Sequence, residues 1–330
     1  MKKWLIYTFA IAILAVLALQ LFMFSTIQQQ KNSDEKYFNM AKQEYKIFVP
    51  YIPDSLELFG ENVPVDHVLV RERLENEIVR NMYWHSHTIL LLKRSARYFP
   101  VIEPILSENG IPDDFKYLAM AESELTNAVS PVGASGVWQF MKSTAQEYGL
   151  EVRTDVDERY HLEKSTNAAC RYLKASKQQF GSWTLAAAAY NMGGGALKRD
   201  VDAQKTNDYY SLLLNQETAR YVYRIVALKL ICEQPFQYGF FIRNKDLYQP
   251  IPVKKVSVSS SISSLVDFAA EYNLSFLELK NVNPWLRSDK LVVNTGKTYE
   301  INIPLSFSHT KLTENIADPY TIFKDSIVVE

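Results

Sequence analysis

Residues 4–24 read WLIYTFAIAILAVLALQLFMF, 21 residues without a charge and with Gln20 as the strongly polar exception. A run of that length and character folds as a helix wherever water is excluded, and it matches a hydrocarbon core of roughly 30 Å. Lys2 and Lys3 precede it, which predicts a cytoplasmic N-terminus and a chain that continues outside. The expectation is an uncleaved anchor over 1–27. A cleaved signal peptide is the rival, with Val16 and Ala18 as small cleavage-site residues, but the run exceeds the usual apolar region of 7–15 residues. The location expected is therefore an inner membrane with the C-terminal part in the periplasm, or a periplasmic form if the segment is removed. Residues 28–46 are polar with mixed charge and read as a solvated stalk.

Over its full length the chain is ordinary for a folded protein, with 47% hydrophobic and 22% charged residues. Its 36 Lys+Arg against 37 Asp+Glu give a net charge of −1, which argues against a polyanion-binding surface over the whole molecule while leaving room for a local basic patch; nucleic acid is not expected as a partner. Two cysteines, Cys170 and Cys232, exclude a disulfide framework and a four-cysteine zinc site. His85 and His87 lie two apart in a helical pattern and share no face, so no metal is expected. No cofactor is expected either.

Residues 47–66 hold three prolines and read as an extended arm wrapping the surface. Apolar spacing through Leu69, Leu74, Ile78, Met82, Ile89 and Leu92 predicts helix over 68–97. Pro100 then opens a short helix that Gly110 closes. Asp113 or Asp114 caps the next helix, and Ser143 with Gln146 forms a capping box ahead of Gly149. Further helices are predicted at about 164–180, 183–191 and 215–233. No strand pattern occurs between 68 and 233. After about 238 the character changes: VKKVSVSSSI favours strand, SSLVDFAAEYNLSFLELKNVN is helical, and LVVNTGKTYEINIPL reads as a second strand with Gly296 in a turn. The last 25 residues read as a loosely attached tail.

Chemistry concentrates in one stretch. Phe115, Leu118, Ala119 and Glu122 share one helix face, so a carboxyl lies on the face that enters the core. Burial of an unpaired carboxylate raises its pKa toward neutrality, the property of a general acid; a carboxylate paired with Arg or Lys is the alternative. Of 11 glycines, seven fall between 133 and 195. Gly133 and Gly136 let backbone approach a ligand, and Gly193–Gly195 follow Tyr190 and Asn191, side chains suited to a sugar ring. A mobile loop or helix end is the plain reading of those last three glycines.

These residues carry a resemblance. Glu122-Ser123, then GASGVWQ from Gly133 to Gln139, then Ala189-Tyr190-Asn191-Met192-Gly193, then Glu217, Thr218 and Tyr221, stand in the order and spacing of lytic transglycosylases of bacterial cell walls. YFPVIEPILSENGIPDDFKYLAMAES is similar to the membrane-bound D-type branch. The resemblance implies a mainly α fold: a lysozyme-like (SLT) helical domain over 47–237 with its motif core at about 100–235. A small α+β module over 248–305 resembles a diverged LysM unit, and 306–330 is the tail. The module lacks a Gly-Asp-Thr opening, so glycan binding and a purely structural lid stay open for it.

What the resemblance implies for chemistry is cleavage of the MurNAc–GlcNAc β-1,4 bond with 1,6-anhydro product, Glu122 acting as acid and then base. Ser123, Ser130, Gln139, Tyr190, Asn191 and Tyr221 would bind the glycan strand, with Tyr190 and Asn191 toward the acetamido group and Tyr221 orienting Glu122. Glu124, about 200° round the helix from Glu122, faces away. Glu217 is one example of a second carboxylate that could arrive from far along the chain, and it is expected to cap the helix it begins. A lysozyme-like hydrolase and a non-catalytic glycan-binding envelope protein are the alternatives.

Overall fold

The computed structural model describes residues 2–44 and 46–307, so the expected tail lies almost wholly outside the described residues. The chain divides into two units, Met1–Val49 and Pro50–Glu330. In the first, α1 runs unbroken from Lys2 to Glu44, through both the uncharged run and the polar stalk. Large side chains such as Ile13, Leu14, Val16, Leu17 and Leu19 are exposed along it. Among the described residues no helix is long and apolar enough to cross a membrane; several side chains of the 4–24 run lie outside the description.

The second unit begins with the proline-bearing arm, which is no surface wrapping. Ile52, Leu56, Leu58, Phe59, Val63 and Val65 are all buried in the main core. A tight hairpin pairs β1 (Glu57–Leu58) with β2 (Glu61–Asn62). Its two turn residues, Phe59 and Gly60, both have positive φ (58° and 73°), the mirror-image turn that suits strand twist. The alternation of apolar residues with prolines had hidden this inward docking.

Helices α2 (Val68–Tyr83) and α3 (His85–Glu108) replace the single helix expected over 68–97. The break sits at Trp84 (φ −94°, ψ 62°), where the Thr88 hydroxyl donates to the Asn81 carbonyl at 2.5 Å. Pro100 does not open a helix: it and Pro104 lie inside α3. They are four apart and both exposed, so the carbonyls that lose a helical donor face water and the helix continues. Gly110 does close it, with the Ile111 N–H reaching back to Leu106.

Next come α4 (Phe115–Ser123), α5 (Lys142–Glu147), α6 (Leu162–Phe180), α7 (Trp183–Met192), α8 (Gly194–Gln204) and α9 (Gln216–Glu233). Packing joins α2 to α9, α6 to α7, and α4 to both α3 and α9. The capping box does not form, because α5 starts one residue before Ser143 with Met141 as its cap. α8 was not read from the sequence: Gly194 and Gly195 hide its start.

The C-terminal module is a two-stranded antiparallel sheet, β3 (Val253–Val258) with β4 (Tyr299–Pro304), and two short helices between them, α10 (Leu265–Glu271) and α11 (Phe276–Val282). Ser264 and Ser275 cap the two helices, Ser275 in a capping box with Glu278. The expected single helical piece is thus divided, at Asn273 with its φ of 56°.

The module has its own core, built around Leu265, Leu279, Trp285, Leu291 and Ile301, and that core also takes in Val156 and Tyr160 from the helical region. Segment 151–160 carries the junction. The Asp157 N–H donates to the Trp285 carbonyl at 2.9 Å and the Arg287 N–H to the Asp155 carbonyl at 2.8 Å. The Asp155 carboxylate accepts from the Val292 N–H, and Tyr299 donates to Glu151, at 2.9 and 2.8 Å.

Candidate active site

Helix α4 is fixed at both ends. At its start Phe115 stacks on Phe59 of the hairpin (centroids 3.9 Å apart, 13° between planes) and meets the edge of Trp183. Asp114 stands at the cap position but its side chain caps nothing. Its carboxylate instead accepts from the Phe59 N–H and from Lys229, each at 2.7 Å.

At its end Ser123 donates to the Val137 carbonyl at 2.7 Å. Ser123 is buried, so its expected contact with sugar gives way to a joint between α4 and the glycine-containing loop. Glu124 and Leu125 follow in left-handed backbone (φ 55° and 53°). Each costs about 1 kcal/mol as a non-glycine residue. The sharp reversal is held from α3: Arg94 donates to the Glu124 carbonyl at 3.1 Å, and His87 lies 3.3 Å from its carboxylate. Glu124 thus lies beyond the helix in left-handed backbone, and its direction is set by Arg94 and His87 and not by helical spacing.

Phe115, Leu118 and Ala119 are fully buried, and Glu122 ends the same face half-buried. Tyr221, buried on α9, donates its phenolic proton to Glu122 Oε1. Burial pushes the Glu122 pKa up to about 7. The Tyr221 hydrogen bond and the positive charge of Arg224 pull against that rise, and the negative charge of Glu217 adds to it. This is a carboxyl able to hold its proton near neutral pH and to release it.

Loop 128–140 is a compact hydrogen-bonded turn. The Gly136 N–H donates to the Ala128 carbonyl at 3.1 Å and the Ser135 N–H to the Phe140 carbonyl at 3.1 Å. A Cβ on Gly136 would lie 2.0 Å from the Arg159 carbonyl oxygen, so no other residue fits. Gln139 has a φ of 48°, and its amide nitrogen donates to the Gly136 and Ala128 carbonyls at 2.8 and 3.0 Å. Both neighbours are carbonyls, which fixes the amide orientation and leaves its oxygen as an acceptor. Ser130 Oγ accepts from the Ala134 N–H at 3.0 Å, leaving its proton to donate elsewhere.

Behind the loop stands a pair that sequence reasoning missed. Arg159 donates to the Gly133 and Phe140 carbonyls (3.0 and 3.2 Å) while its other nitrogens bind Asp157, at 2.7 Å for the closest contact. Both side chains are buried. Nothing in the local pattern reveals it, because the loop and the pair are some 20 residues apart.

α7 supplies the third group. Ala186–Ala189 are fully buried, which lets the helix pack closely and carry Tyr190 to the loop. The Tyr190 hydroxyl donates to the Trp138 carbonyl at 2.7 Å, and Trp138 in turn donates its indole N–H to Thr166 at 2.9 Å. Asn191 accepts from the Thr218 hydroxyl at 2.8 Å, and its amide reaches Glu217 Oε1 at 3.5 Å. Asn215, not Glu217, caps α9. Gly194 and Gly195 form the first turn of α8, so of Gly193–Gly195 Gly193 alone is a junction between helices.

Glu122, Tyr221 and Tyr190 thus come together electrostatically, with Gln139 on the loop that Tyr190 braces. Among the described residues no cluster of three His, Cys, Asp or Glu side chains is placed to hold a metal ion. Residues 100–213, which contain this group apart from α9, match the transglycosylase SLT domain. Residues 254–306 match the soluble lytic transglycosylase C-terminal LysM-like domain.

The chain carries an SLT domain followed by a LysM-like domain.

The chain is 28% identical to membrane-bound lytic murein transglycosylase D of Escherichia coli strain K12, over 247 residues, 73% of this chain and 52% of that protein. The same values hold for the protein of that name in strain CFT073. The chain therefore spans about half the length of these relatives. Among solved structures, the 70 kDa soluble lytic transglycosylase of Escherichia coli is 23% identical with a TM-score of 0.37, covering 46% of this chain and 27% of that one. The SLT domain here is helical, and the LysM-like domain is the small two-strand, two-helix module.

Proposed function

We propose that the chain is a peptidoglycan lytic transglycosylase. Its helical region (47–237) would cut the β-1,4 bond between N-acetylmuramic acid and N-acetylglucosamine, with the LysM-like module (248–305) beside it. The observation that carries this is one half-buried carboxyl, Glu122, held near neutral pKa at the end of a helix and touched by a single donor, Tyr221.

In this reading protonated Glu122 gives its proton to the glycosidic oxygen. The acetamido group of the substrate stabilises the positive charge that grows at C1. Glu122, now a carboxylate, takes the proton of the C6 hydroxyl, whose oxygen closes on C1 to give the 1,6-anhydro end. One group acts as acid and then as base, without water as nucleophile. Gln139 and Ser130 would contact the sugars, Tyr190 and Asn191 would shape the acetamido side, and Tyr221 would aim Glu122. Ser123 acts through the loop, not on the sugar.

Glu122→Gln keeps shape and removes the proton. Its expected outcome is loss of soluble fragment release from purified wall; release at the wild-type rate overturns the assignment. Glu217 lies near enough to Glu122 to raise its pKa, which favours a hydrolase as the second reading. Product mass separates the two, since anhydro ends are lighter than hydrolysed ends by one water.

For location, the uncharged 21-residue run and the exposed apolar side chains of α1 support a single-pass anchor in the inner membrane, with the rest in the periplasm. A protein that pellets with membranes and resists high salt fits this; a soluble form shortened by about 20 residues fits cleavage.

A further inference from the structure

Helix α9 carries three basic side chains, and two of them are already paired. Arg220 meets Glu77 at 2.5 Å and Lys229 meets Asp114 at 2.7 Å. The third, Arg224, forms no hydrogen bond or ion pair with any described residue. It is not a loose surface charge, because it is half-buried between Tyr223 and Ile225, which are both buried. A guanidinium held partly out of water without an acceptor is destabilising, and an anion that reaches it offsets the penalty.

Helical spacing sets its place. Glu217, Tyr221 and Arg224 stand at i, i+4 and i+7, so they share one face of α9. Tyr221, in the middle, donates to Glu122. Glu217 and Arg224 are about 10 Å apart along the helix axis, so they flank the carboxyl on opposite sides and do not pair. Glu217 lies toward Asn191, whose amide is 3.5 Å away. Arg224 lies toward α3, where its charge acts on both Glu122 and His87. The Glu124 carboxylate on that side is taken, at 3.3 Å from His87 and 3.7 Å from Arg94. Burial lowers the His87 pKa, so that imidazole is neutral at pH 7 and offers no competing positive charge. The surroundings of Glu122 thus have a negative end and a positive end, and the positive end lacks a partner. When Glu122 holds its proton, Arg224 is left without a counter-charge beside it.

We propose that Arg224 is a specificity-determining residue that binds a carboxylate carried by the muramyl sugar of the substrate or by its stem peptide. A planar guanidinium matches a carboxylate with two parallel N–H···O bonds. Peptidoglycan has two sources of that group: the lactyl ether of a naked muramic acid, and the stem peptide where the lactyl carboxyl is already in amide linkage. N-acetylglucosamine carries neither, so Arg224 would tell the muramyl sugar from its neighbour. The identity of the anion rests on the glycan-cleaving reading of Glu122; the unpaired guanidinium does not. Binding also acts on the acid. A carboxylate on Arg224 cancels the charge that pulls the Glu122 pKa down, so Glu122 keeps its proton to higher pH in the complex than in the free protein. Glu217, Tyr221, Tyr190 and His87 also act on this pair. They are the same in free and bound protein, so they set the level of both pH profiles and not the gap between them.

The test uses the full chain in detergent micelles, as the Glu122→Gln variant, which prevents turnover and stands in for the protonated acid. Calorimetry compares three tetrasaccharides of alternating N-acetylglucosamine and N-acetylmuramic acid: one with free lactyl carboxylates, one with those groups as methyl amides, and one carrying stem peptides. An anionic form is expected to bind about tenfold more tightly than the methyl amide, with the gap narrowing as salt rises. Preference for the free lactyl form names the lactyl carboxylate as the source, and preference for the peptide-bearing form alone names the stem. Arg224→Met should erase the gap, and Arg224→Lys should keep part of it. The readout is a ratio between two ligands on one protein, so partial unfolding, which weakens both alike, does not imitate it. In the Glu122-intact chain the alkaline limb of kcat should lie above that of kcat/KM on anionic strands, and Arg224→Met should close that separation. Equal affinity for charged and amide forms, or a gap that survives in Arg224→Met, overturns the proposal. If the gap is present but the Glu122-intact chain releases no wall fragments, the role of Arg224 stands and the cleavage reading fails. If wall is cut normally and the gap is absent, the role of Arg224 alone fails.

Discussion

Glu61 on the hairpin and Glu122 at the end of α4 are both half-buried, and burial pushes both pKa values upward, yet they end on opposite sides of the ordinary carboxyl value. Glu61 accepts from the Trp183 and Thr184 N–H groups at 2.6 and 2.9 Å, from the Thr184 hydroxyl at 2.7 Å and from Lys177 at 3.0 Å. Those four donors outweigh its burial and hold it ionised at the N-terminus of α7. Glu122 has one donor and rises to about 7. Glu122 is the more deeply buried carboxyl as well as the one with fewer donors, and the two together separate a carboxylate held ionised from a carboxyl that keeps its proton near neutral pH.

The largest expected effect tests the reactive half of that contrast. Glu122→Gln should lower anhydro-product formation about 10³-fold, read by mass spectrometry of digested wall. The same substitution should raise stability at pH 8. A raised native pKa stabilises most below about 4.5 and loses that contribution as pH climbs through about 7. Melting curves of variant and wild type should therefore converge near pH 4.

Glu61→Gln tests the structural half. An amide has one acceptor oxygen and turns its NH₂ toward donors, so unfolding in urea should show a loss of about 2 kcal/mol. Fragment release per folded molecule should be unchanged. The sign with pH is opposite here: a lowered native pKa stabilises above about 4.5 and that contribution fades on acidification, so this loss should shrink in acid.

Tyr221→Phe removes the single donor to Glu122. A fall in kcat of about tenfold is expected, together with an alkaline limb moved to higher pH, because that hydrogen bond holds the pKa down. Loss of stability alone would leave the limb in place. The smallest effects come from charge without contact. Glu217→Gln should move the limb down and Arg224→Met should move it up, each by less than about one pH unit. Complete loss of activity in Glu217→Gln would instead make Glu217 the base of a hydrolase.

The buried carboxyl with the raised pKa was legible in the sequence because its signals are local: a helix face ending in a carboxyl, glycines a few residues on, and a Tyr-Asn pair before another glycine. The structural half was not. Glu61 reads as a surface charge in a proline-bearing arm, and its donors sit more than 115 residues away. The Asp157–Arg159 pair is hidden the same way, since two opposite charges two residues apart look like solvated surface. Ser123 shows the limit of resemblance: its position in the motif was recognised, but whether its hydroxyl meets sugar or the Val137 carbonyl depends on where a distant loop packs. The helix break at Trp84 and the passage of α3 through Pro100 depend on which carbonyls face water, which periodicity alone does not report.

Segment 151–160 belongs to two cores at once: Val156 and Tyr160 sit among the side chains of the module, while the Arg159 between them ties down the Gly133 and Phe140 carbonyls. Heat should then dissolve the SLT and LysM-like parts in one cooperative transition, since neither can open at this segment without loosening the other. Deletion of the module should be felt first as slack in the loop that carries Gln139.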